Sequence, residues 1–294
     1  MSIESRRSKS SRRGIVLLMT VAMIALASAA LTRLANDSLS LVARGTVAQR
    51  ELQRRWTHAS CRLTILNRAQ DLFRQREAVI ISQGAGWPRQ ADMQLSFAIA
   101  HESLSIILSD EQARANVNML NRKNEQRLYT ELARVAAGSA VPLRFSPAPT
   151  DNSPTPAFSS WGQIIDFRAV SESQSIADTL SGIKSNFTCW GDGRINICRA
   201  SDDVVRLALF DMLSAIEIEK LLEARRGHSG TLNELVTSLD IHRQKQIRLQ
   251  QAVVEDSNCF SMTITQQRMG RETTTIVVND SKPRAISPPI MFRW

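Results

Sequence analysis

A single uncharged apolar segment near the N-terminus constrains the fold of this chain most strongly. No charged residue occurs from Gly14 to Thr32, and the stretch Ile15–Leu26 is apolar except for Thr20. A helix of about 20 residues crosses the roughly 30 Å hydrocarbon core of a bilayer. Five basic residues precede the segment, namely Arg6, Arg7, Lys9, Arg12 and Arg13. Because basic flanks stay cytoplasmic, we expect the N-terminus in the cytoplasm and the chain after Arg33 on the far side.

The basic cluster also accounts for much of the net charge. The 294 residues carry a formal charge of +9, and the five basic residues before the apolar segment, less Glu4, contribute +4 of it. The remaining +5 is ordinary for a body of this size. The cluster suits the anionic inner face of a membrane, so a nucleic-acid partner is not expected.

Three common fates fit such a segment: a plain anchor, a cleaved secretory signal with Ala27–Ala29 as the cleavage site, or a twin-arginine signal at Ser11–Arg13. The helical periodicity continues beyond the segment, however, through Leu31, Leu34, Leu41, Gly45, Ala48, Leu52, Trp56, Ala59, Leu63, Leu66 and Leu72. A signal peptide has no reason to continue as an amphipathic helix. We therefore predict one long helix, with a transmembrane half at 15–32 and an amphipathic half at 33–82.

This two-part helix resembles that of type IV pilins and pseudopilins, and Arg13, Gly14 and Ile15 resemble the site cut by prepilin peptidase. The resemblance implies that residues 1–14 form a basic leader, with cleavage after Gly14 and Ile15 as the new N-terminus. Most pilins carry Glu at the fifth mature position, where this chain has Met19. The class that lacks this Glu is the K-type minor pseudopilin of type II secretion.

Two further segments resemble motifs of that class. Ser109–Asn118 resembles its acidic start, here with Asp110, followed by a basic residue and an Asn-x-Asn formed by Asn116 and Asn118. Thr188–Ala200 resembles its second element, a Gly-Asp-Gly turn followed by a basic residue and Asn-x-Asn-x-Ala. There the matching positions are Asn196 and Ala200, and Cys198 replaces the second Asn. We interpret Gly191, Asp192 and Gly193 as a hairpin turn.

The order of elements predicts an α+β fold, with a long N-terminal helix, an antiparallel sheet and an inserted helical domain. The resemblance implies that the long helix is type IV pilin-like and that the insertion is of the helix-hairpin-helix or SAM-like kind. We expect pilin-like strands and a helix at 83–140, a Pro- and Ser-rich linker at 141–160, a mainly helical insertion at 161–250 and C-terminal strands at 251–294. Alternating residues predict strands at Met93–His101, Ser103–Leu108, Cys259–Thr265 and Thr273–Val278, with a turn at Arg268–Arg271 between the last two. Helices are predicted from Ser201–Asp203 to about Leu213, over Glu217–Arg226 with Gly227 as the stop, and over Leu232–Leu239.

The sequence offers little catalytic chemistry. No Gly-x-Ser-x-Gly, P-loop or Gly-x-Gly-x-x-Gly motif is present, so we expect neither an enzyme nor a small-molecule substrate. Asp110, Glu111, Asp202 and Asp203 are weak candidates for calcium ligands, since they explain helix or turn starts equally well. Four cysteines, Cys61, Cys189, Cys198 and Cys259, allow up to two disulfides or buried thiols.

The resemblance implies a minor pseudopilin that forms the tip or initiating subunit of a periplasmic pseudopilus. Its implied location is the bacterial inner membrane, with a single pass and a periplasmic body. The implied partners are other minor and major pseudopilins, inner-membrane components of the secretion machine and prepilin peptidase. Two alternatives remain: a minor pilin of a type IV pilus or competence system, and an exported binding domain on an uncleaved anchor.

Overall fold

The structure is a computed structural model that describes residues 7–82, 86–87, 89–99, 102–139, 144, 158–166, 169, 182–228, 230–268, 271–280 and 290–293. Its chain forms two compact units, Met1–Ser60 and Cys61–Trp294. Most of the predicted linker at 141–160 lies outside the described residues, as do the central two residues of the turn predicted at Arg268–Arg271.

The first unit is helical throughout its described part. Helix α1 extends over Arg7–Thr64, so its last residues belong to the second unit. Large apolar side chains from Ile15 to Leu26 are more than half exposed. The hydroxyls of Thr20 and Thr32 donate to the backbone oxygens of Leu17 and Ser28, each at 2.8 Å, which lowers the cost of placing them in an apolar medium.

The predicted amphipathic half is interrupted before it ends. After α1, a 3-10 turn occupies Leu66–Arg68 and helix α2 covers Ala69–Ser82. Leu66, Ala69 and Phe73 are buried, whereas Leu63 is exposed. The apolar period alone did not reveal this break, because Leu63 and Leu66 fit one helical face equally well.

A five-stranded antiparallel sheet lies at the centre of the second unit. Its strands are β1 (Asp92–Ile99), β2 (Glu102–Asp110), β7 (Cys259–Arg268), β8 (Arg271–Asp280) and β9 (Ile290–Arg293), in the spatial order β1-β2-β7-β8-β9. The four predicted strands are confirmed. The last three are longer than predicted, whereas β1 begins one residue earlier and its predicted end at His101 lies outside the described residues. The chain between β2 and β7 leaves the sheet and returns to pair β7 with β2.

Alternate residues of the sheet enter two different cores. Phe260, Met262 and Ile264 of β7 pack with Leu66 and Phe73, whose ring stacks on that of Phe260 at 5.8 Å between centroids. Cys259, Ile276 and Val278 face the other way, into a larger core formed with the insertion. The period of two along a strand therefore places α2 on one face of the sheet and the insertion on the other.

Short paired strands and helices build the insertion. Helix α3 covers Val117–Lys123, α4 Glu125–Ser139, α5 Asp202–Leu209, α6 Ala215–Arg225, α7 Leu232–Ser238 and α8 Arg243–Ala252. Two parallel strand pairs join β3 (Ala115–Asn116) to β4 (Phe187–Thr188), and β5 (Ile195–Asn196) to β6 (Val253–Val254).

The predicted helices of the insertion are confirmed: each ends earlier than predicted, and α6 begins two residues earlier, at Ala215. Ser201 caps α5, Ser214 and Thr231 form capping boxes at the starts of α6 and α7, and Gly227 has a φ of +74° just beyond α6. Helix α8, rich in Gln and Arg, was not predicted as a separate element. The α+β class, with a long N-terminal helix, an antiparallel sheet and an inserted helical region, is confirmed.

The interpretation of Gly191–Gly193 as a hairpin turn is wrong. Gly191 and Gly193 do have positive φ, at 88° and 86°, as a turn requires. The strands on either side, β4 and β5, do not pair with each other, because β4 pairs with β3 and β5 with β6. The turn is instead packed against Met119, whose Cγ would lie 2.2 Å from a Cβ added at Gly193.

Candidate functional site

The two motif segments meet at a buried junction of ion pairs, where the sheet, α2 and the insertion come together. Asp110, at the end of β2, is fully buried. Its Oδ2 accepts from Arg199 Nη1 at 2.8 Å, Ser257 Oγ at 2.6 Å and Asn196 Nδ2 at 3.1 Å. Burial raises the pKa of Asp110 even though Arg199 and Ser257 oppose the shift.

Arg199 connects this carboxylate to α2. Its Nε donates to Glu77 Oε1 at 2.5 Å, and its guanidinium lies 4.6 Å from the ring centroid of Phe73. Glu77 in turn accepts from Arg89 Nη1 at 3.0 Å. We call Asp110, Arg199, Glu77 and Arg89 the Asp110 chain. Both of its carboxylates contact guanidinium groups, so the buried charges alternate in sign.

The adjacent residue, Glu111, organises a second group of charges. Glu111 is fully buried and accepts from Arg114 Nη1 at 2.8 Å, from Thr188 Oγ1 at 2.6 Å and from Ser261. Arg114 also donates to Asp92 at 2.7 Å. Glu111 therefore connects the first motif to β4 of the second and to β7.

Lys184 belongs electrostatically to the same group. Its Nζ donates to Thr263 Oγ1 at 3.1 Å, and the side chain is buried. Burial lowers its pKa to about 8, with Arg114 contributing in the same direction and Glu111 opposing the shift. We call Glu111, Arg114, Asp92 and Lys184 the Glu111 cluster.

The predicted Asn residues fix the backbone around these charges. Asn116 caps α3 by accepting from the backbone N–H groups of Asn118 and Met119 at 2.9 and 3.1 Å, while its Nδ2 donates to the Trp190 oxygen at 2.8 Å. Asn118 donates to the backbone oxygen of Cys189 at 3.0 Å. Both amides of the first motif thus hold the backbone of the second.

The matching residues of the second motif also lie in this junction. Asn196 donates to Asp110 and to Ser257, and its Oδ1 accepts from the Cys198 N–H at 3.0 Å. Ala200 is fully buried, and its oxygen accepts from Arg225 Nη1 at 2.7 Å. Cys198, which stands at the second Asn position, is a buried thiol whose pKa burial raises to about 12.

The four calcium candidates do not converge on a common site. Asp110 and Glu111 contact arginines as described, whereas Asp202 accepts from Arg225 and Arg226. Burial raises the pKa of Asp202, but the hydrogen bonds from the two arginines outweigh it, and the net shift is downward. Asp203 contacts Arg206 at 3.1 Å. Within the described residues, no group of three or more potential ligands could hold a metal ion.

The other predicted positions lie apart from the junction. Gly14, Ile15 and Met19 are within α1, and the side chains of Ile15 and Met19 are exposed. The four cysteines, Cys61, Cys189, Cys198 and Cys259, are all buried thiols. One helix among the described residues, the one that contains Ile15–Leu26, has the length and composition needed to cross a membrane.

Several central residues were not identified from the sequence, namely Glu77, Arg199, Ser257, Lys184 and Arg225. Glu77 offered a usable signal, because it lies four residues after Phe73 on α2 and so shares the buried face of that helix. Ser257 carried no such signal, since a serine before a strand is ordinary.

Comparison with known proteins found similarity to solved structures. No family model matches the chain. No curated protein matches it either. Among solved structures, it is similar to a chain from the crystal structure of the GspK-GspI-GspJ complex of the enterotoxigenic Escherichia coli type 2 secretion system. That similarity covers 85% of this chain and 99% of the other, with 15% sequence identity and a TM-score of 0.47.

Proposed function

We propose that this protein is a minor pseudopilin of a type II secretion system, a structural subunit at the tip of a periplasmic pseudopilus or at its point of initiation. The observation that carries the proposal is α1, which is uncharged from Gly14 to Thr32 and continues without interruption to Thr64. Cleavage after Gly14 would leave this helix attached to the body. An ordinary signal peptide would be removed with its apolar segment.

The exposed apolar surface of α1 supports a role in assembly. Side chains from Ile15 to Leu26 need lipid or other apolar helices around them. We propose that the helix is held in the inner membrane until assembly, with its basic N-terminus in the cytoplasm and the body in the periplasm. It would then join the helices of other minor and major pseudopilins, with prepilin peptidase and inner-membrane components of the machine as further partners.

Met19 supports a position at the tip. In related pilins a Glu at this place is thought to neutralise the N-terminal amine of a neighbouring subunit. A tip subunit has no neighbour ahead whose amine needs neutralising, so an apolar Met is tolerated there. The buried junction supports a mechanical role as well, because its charged side chains are held by one another and not directed toward a substrate.

The mature N-terminus tests the proposal directly. We expect mass spectrometry of the membrane-bound protein to find Ile15 as the first residue, with a methylated amine, in cells that have an active prepilin peptidase. The matched control is the same strain without the peptidase, where the leader should remain. Gly14 still joined to Ile15 in the first strain would contradict the proposal.

The two alternatives have different outcomes. Cleavage after Ala29, or release of a soluble body, would favour an exported binding domain. A minor pilin of a type IV pilus or competence system would show the same Ile15 terminus, but its neighbouring genes would encode pilus components. Deletion of the gene should abolish export of type II substrates if the proposal is right, and leave export intact if the chain serves a pilus.

A further inference from the structure

A cleft of about 380 Å³ lies in the second unit, between α2, Trp87 and Arg89, and the start of α7. Its volume is within the range of about 300–1,000 Å³ usual for ligand sites. One wall is apolar, formed by Ala78 and Ile81 of α2 together with Trp87. Ala78 and Ile81 are three residues apart, so they share a face of the helix.

The cleft lining also carries the carboxylates of Glu234 and Glu255, and Arg89 and His228 attract Glu255 without forming an ion pair with it. Glu234 accepts from the backbone N–H of Thr231, and Glu255 accepts from that of Leu232. Neither forms an ion pair within the described part of the chain. Burial and the nearby Asp256 raise the pKa of Glu255. The lining as a whole has four carboxylates and two guanidiniums, a formal charge of −2.

Two buried N–H groups of the lining residues also lack an acceptor among the described residues. Trp87 is 4% exposed, and its indole Nε1 has no hydrogen-bond partner within the part of the chain that the structure describes. Arg89 contacts Glu77 through Nη1, but its buried Nε is unpaired. Buried polar groups of folded proteins are seldom left in this condition, and each such exception calls for an explanation.

These two requirements together define the chemistry of a ligand. The carboxylates call for a cation, and the N–H groups call for a carbonyl oxygen. A metal ion supplies no acceptor, and a polyanion would be repelled by Glu234 and Glu255. A basic residue of a peptide supplies both groups, and its aliphatic stem can lie along an apolar wall.

We propose that this cleft binds a basic side chain of a partner polypeptide, together with an adjacent backbone carbonyl. The side chain extends along Ala78 and Ile81 and places its cation between Glu234 and Glu255. The carbonyl accepts from Trp87 and Arg89 after a small movement of those side chains. The proposal does not depend on the pseudopilin assignment, because it rests on the second unit alone.

The test uses the full-length chain in detergent micelles and a capped alanine pentapeptide with a central arginine. The indole N–H signal of Trp87 is followed by ¹⁵N NMR and assigned by its loss in Trp87→Phe. We expect a saturable shift of this signal. The double variant Glu234→Gln/Glu255→Gln should weaken binding roughly tenfold, since glutamine keeps both backbone contacts but removes the charges. Glu223→Gln, which changes an exposed carboxylate of α6 outside the cleft, should leave binding unchanged.

Two further ligands separate the cation from the carbonyl. A pentapeptide with citrulline in place of arginine keeps the shape but loses the charge, and n-butylguanidinium keeps the single charge and the aliphatic stem but has no carbonyl. Equal binding of either one would overturn the proposal, as would the absence of a saturable shift. If the double variant does not fold, the wild-type protein still decides the matter. The affinity for the arginine peptide must then decrease when the salt concentration is raised from about 0.05 to 0.5 M. An unchanged affinity would overturn the proposal.

Discussion

The Asp110 chain and the Glu111 cluster begin at neighbouring residues and differ in how their charges are balanced. In the Asp110 chain, each carboxylate contacts guanidinium groups and each guanidinium contacts a carboxylate. In the Glu111 cluster, Arg114 contacts two carboxylates, but Lys184 donates to a hydroxyl and forms no ion pair with any other described residue. In the first group, the ionic contacts oppose the burial of Asp110 without cancelling it, since the Asp110 pKa is still raised, and they raise the pKa of Arg199. In the second group, burial outweighs the attraction of Lys184 to the carboxylates, and the Lys184 pKa falls.

The largest effect is expected from Arg199→Met. The substitution removes the cation between Asp110 and Glu77, leaves Asp110 without an ionic partner and should lower the free energy of unfolding by about 3–5 kcal/mol. Urea unfolding of the full-length chain in micelles, followed by tryptophan fluorescence, measures it. The matched control is Arg194→Met, which breaks an exposed pair with Asp192 and should cost no more than about 1 kcal/mol. Similar losses in the two variants would contradict the interpretation that Arg199 holds the two buried carboxylates by ionic contact.

Lys184→Met should act in the opposite direction and increase stability near pH 7. Burial lowers the lysine pKa from 10.5 to about 8. At about 1.4 kcal/mol per pKa unit, removing this penalty is worth on the order of 3 kcal/mol. Urea unfolding at pH 7 measures the gain, and Lys123→Met, on the exposed side of α3, is the control.

The same lysine predicts a pH dependence of the wild-type protein. Between pH 8 and 10.5 the unfolded chain keeps a proton on Lys184 that the folded chain has released. The unfolded state binds more protons there, so Lys184 makes the free energy of unfolding increase with pH over this window. Its contribution appears as the difference between wild type and Lys184→Met. A difference that does not change from pH 7 to pH 10 would show that Lys184 is not the poorly compensated cation.

A smaller effect is expected from Glu111→Gln, which should destabilise by about 2 kcal/mol through the loss of charged hydrogen bonds. Arg114 still donates to Asp92 in this variant, so its guanidinium keeps an ionic partner. Glu111 also supports the protonated form of Lys184, so the effects of Glu111→Gln and Lys184→Met should not be additive. A double-mutant cycle measures the coupling free energy between the two residues. Strict additivity would mean that Lys184 does not interact with Glu111 and does not belong to the cluster.

The smallest effect is expected from Arg89→Met, at the more exposed end of the Asp110 chain. Glu77 would still contact Arg199, so the loss should be about 1 kcal/mol. Urea unfolding beside Arg199→Met gives the comparison. A cost equal to that of Arg199→Met would mean that both guanidiniums are equally essential to Glu77.

Local patterns predicted much of this architecture. Alternating residues located the four long strands, and Ser201 and Gly227 marked helix ends, because capping and strand periodicity depend on neighbours in sequence. The motif residues Asn116 and Asn196 were singled out through the family resemblance. Their part in a charged junction was not predicted.

The rest depends on contacts that no local pattern encodes. A polar residue in an amphipathic helix is expected at the surface, so Glu77 appeared unremarkable until the structure placed Arg199 against it. Asp110 was considered for calcium because sequence shows the carboxylates but not the guanidiniums that already occupy them. Likewise, the Gly191–Gly193 turn was assigned to a hairpin because the true partners of β4 and β5 lie far away in sequence.

The wide sequence separation within the Asp110 chain has a consequence for how the protein matures. Glu77 and Arg199 are 122 residues apart, and Asp110 and Arg199 are 89 apart. Contacts of such long range form slowly, since large loops must close before they contribute any stabilisation. A growing chain that has emerged only as far as residue 190 has the acidic members of the junction but not the cation between them. Its two carboxylates therefore favour a hydrated, open state. We expect the body to remain incompletely folded until its last third has been synthesised.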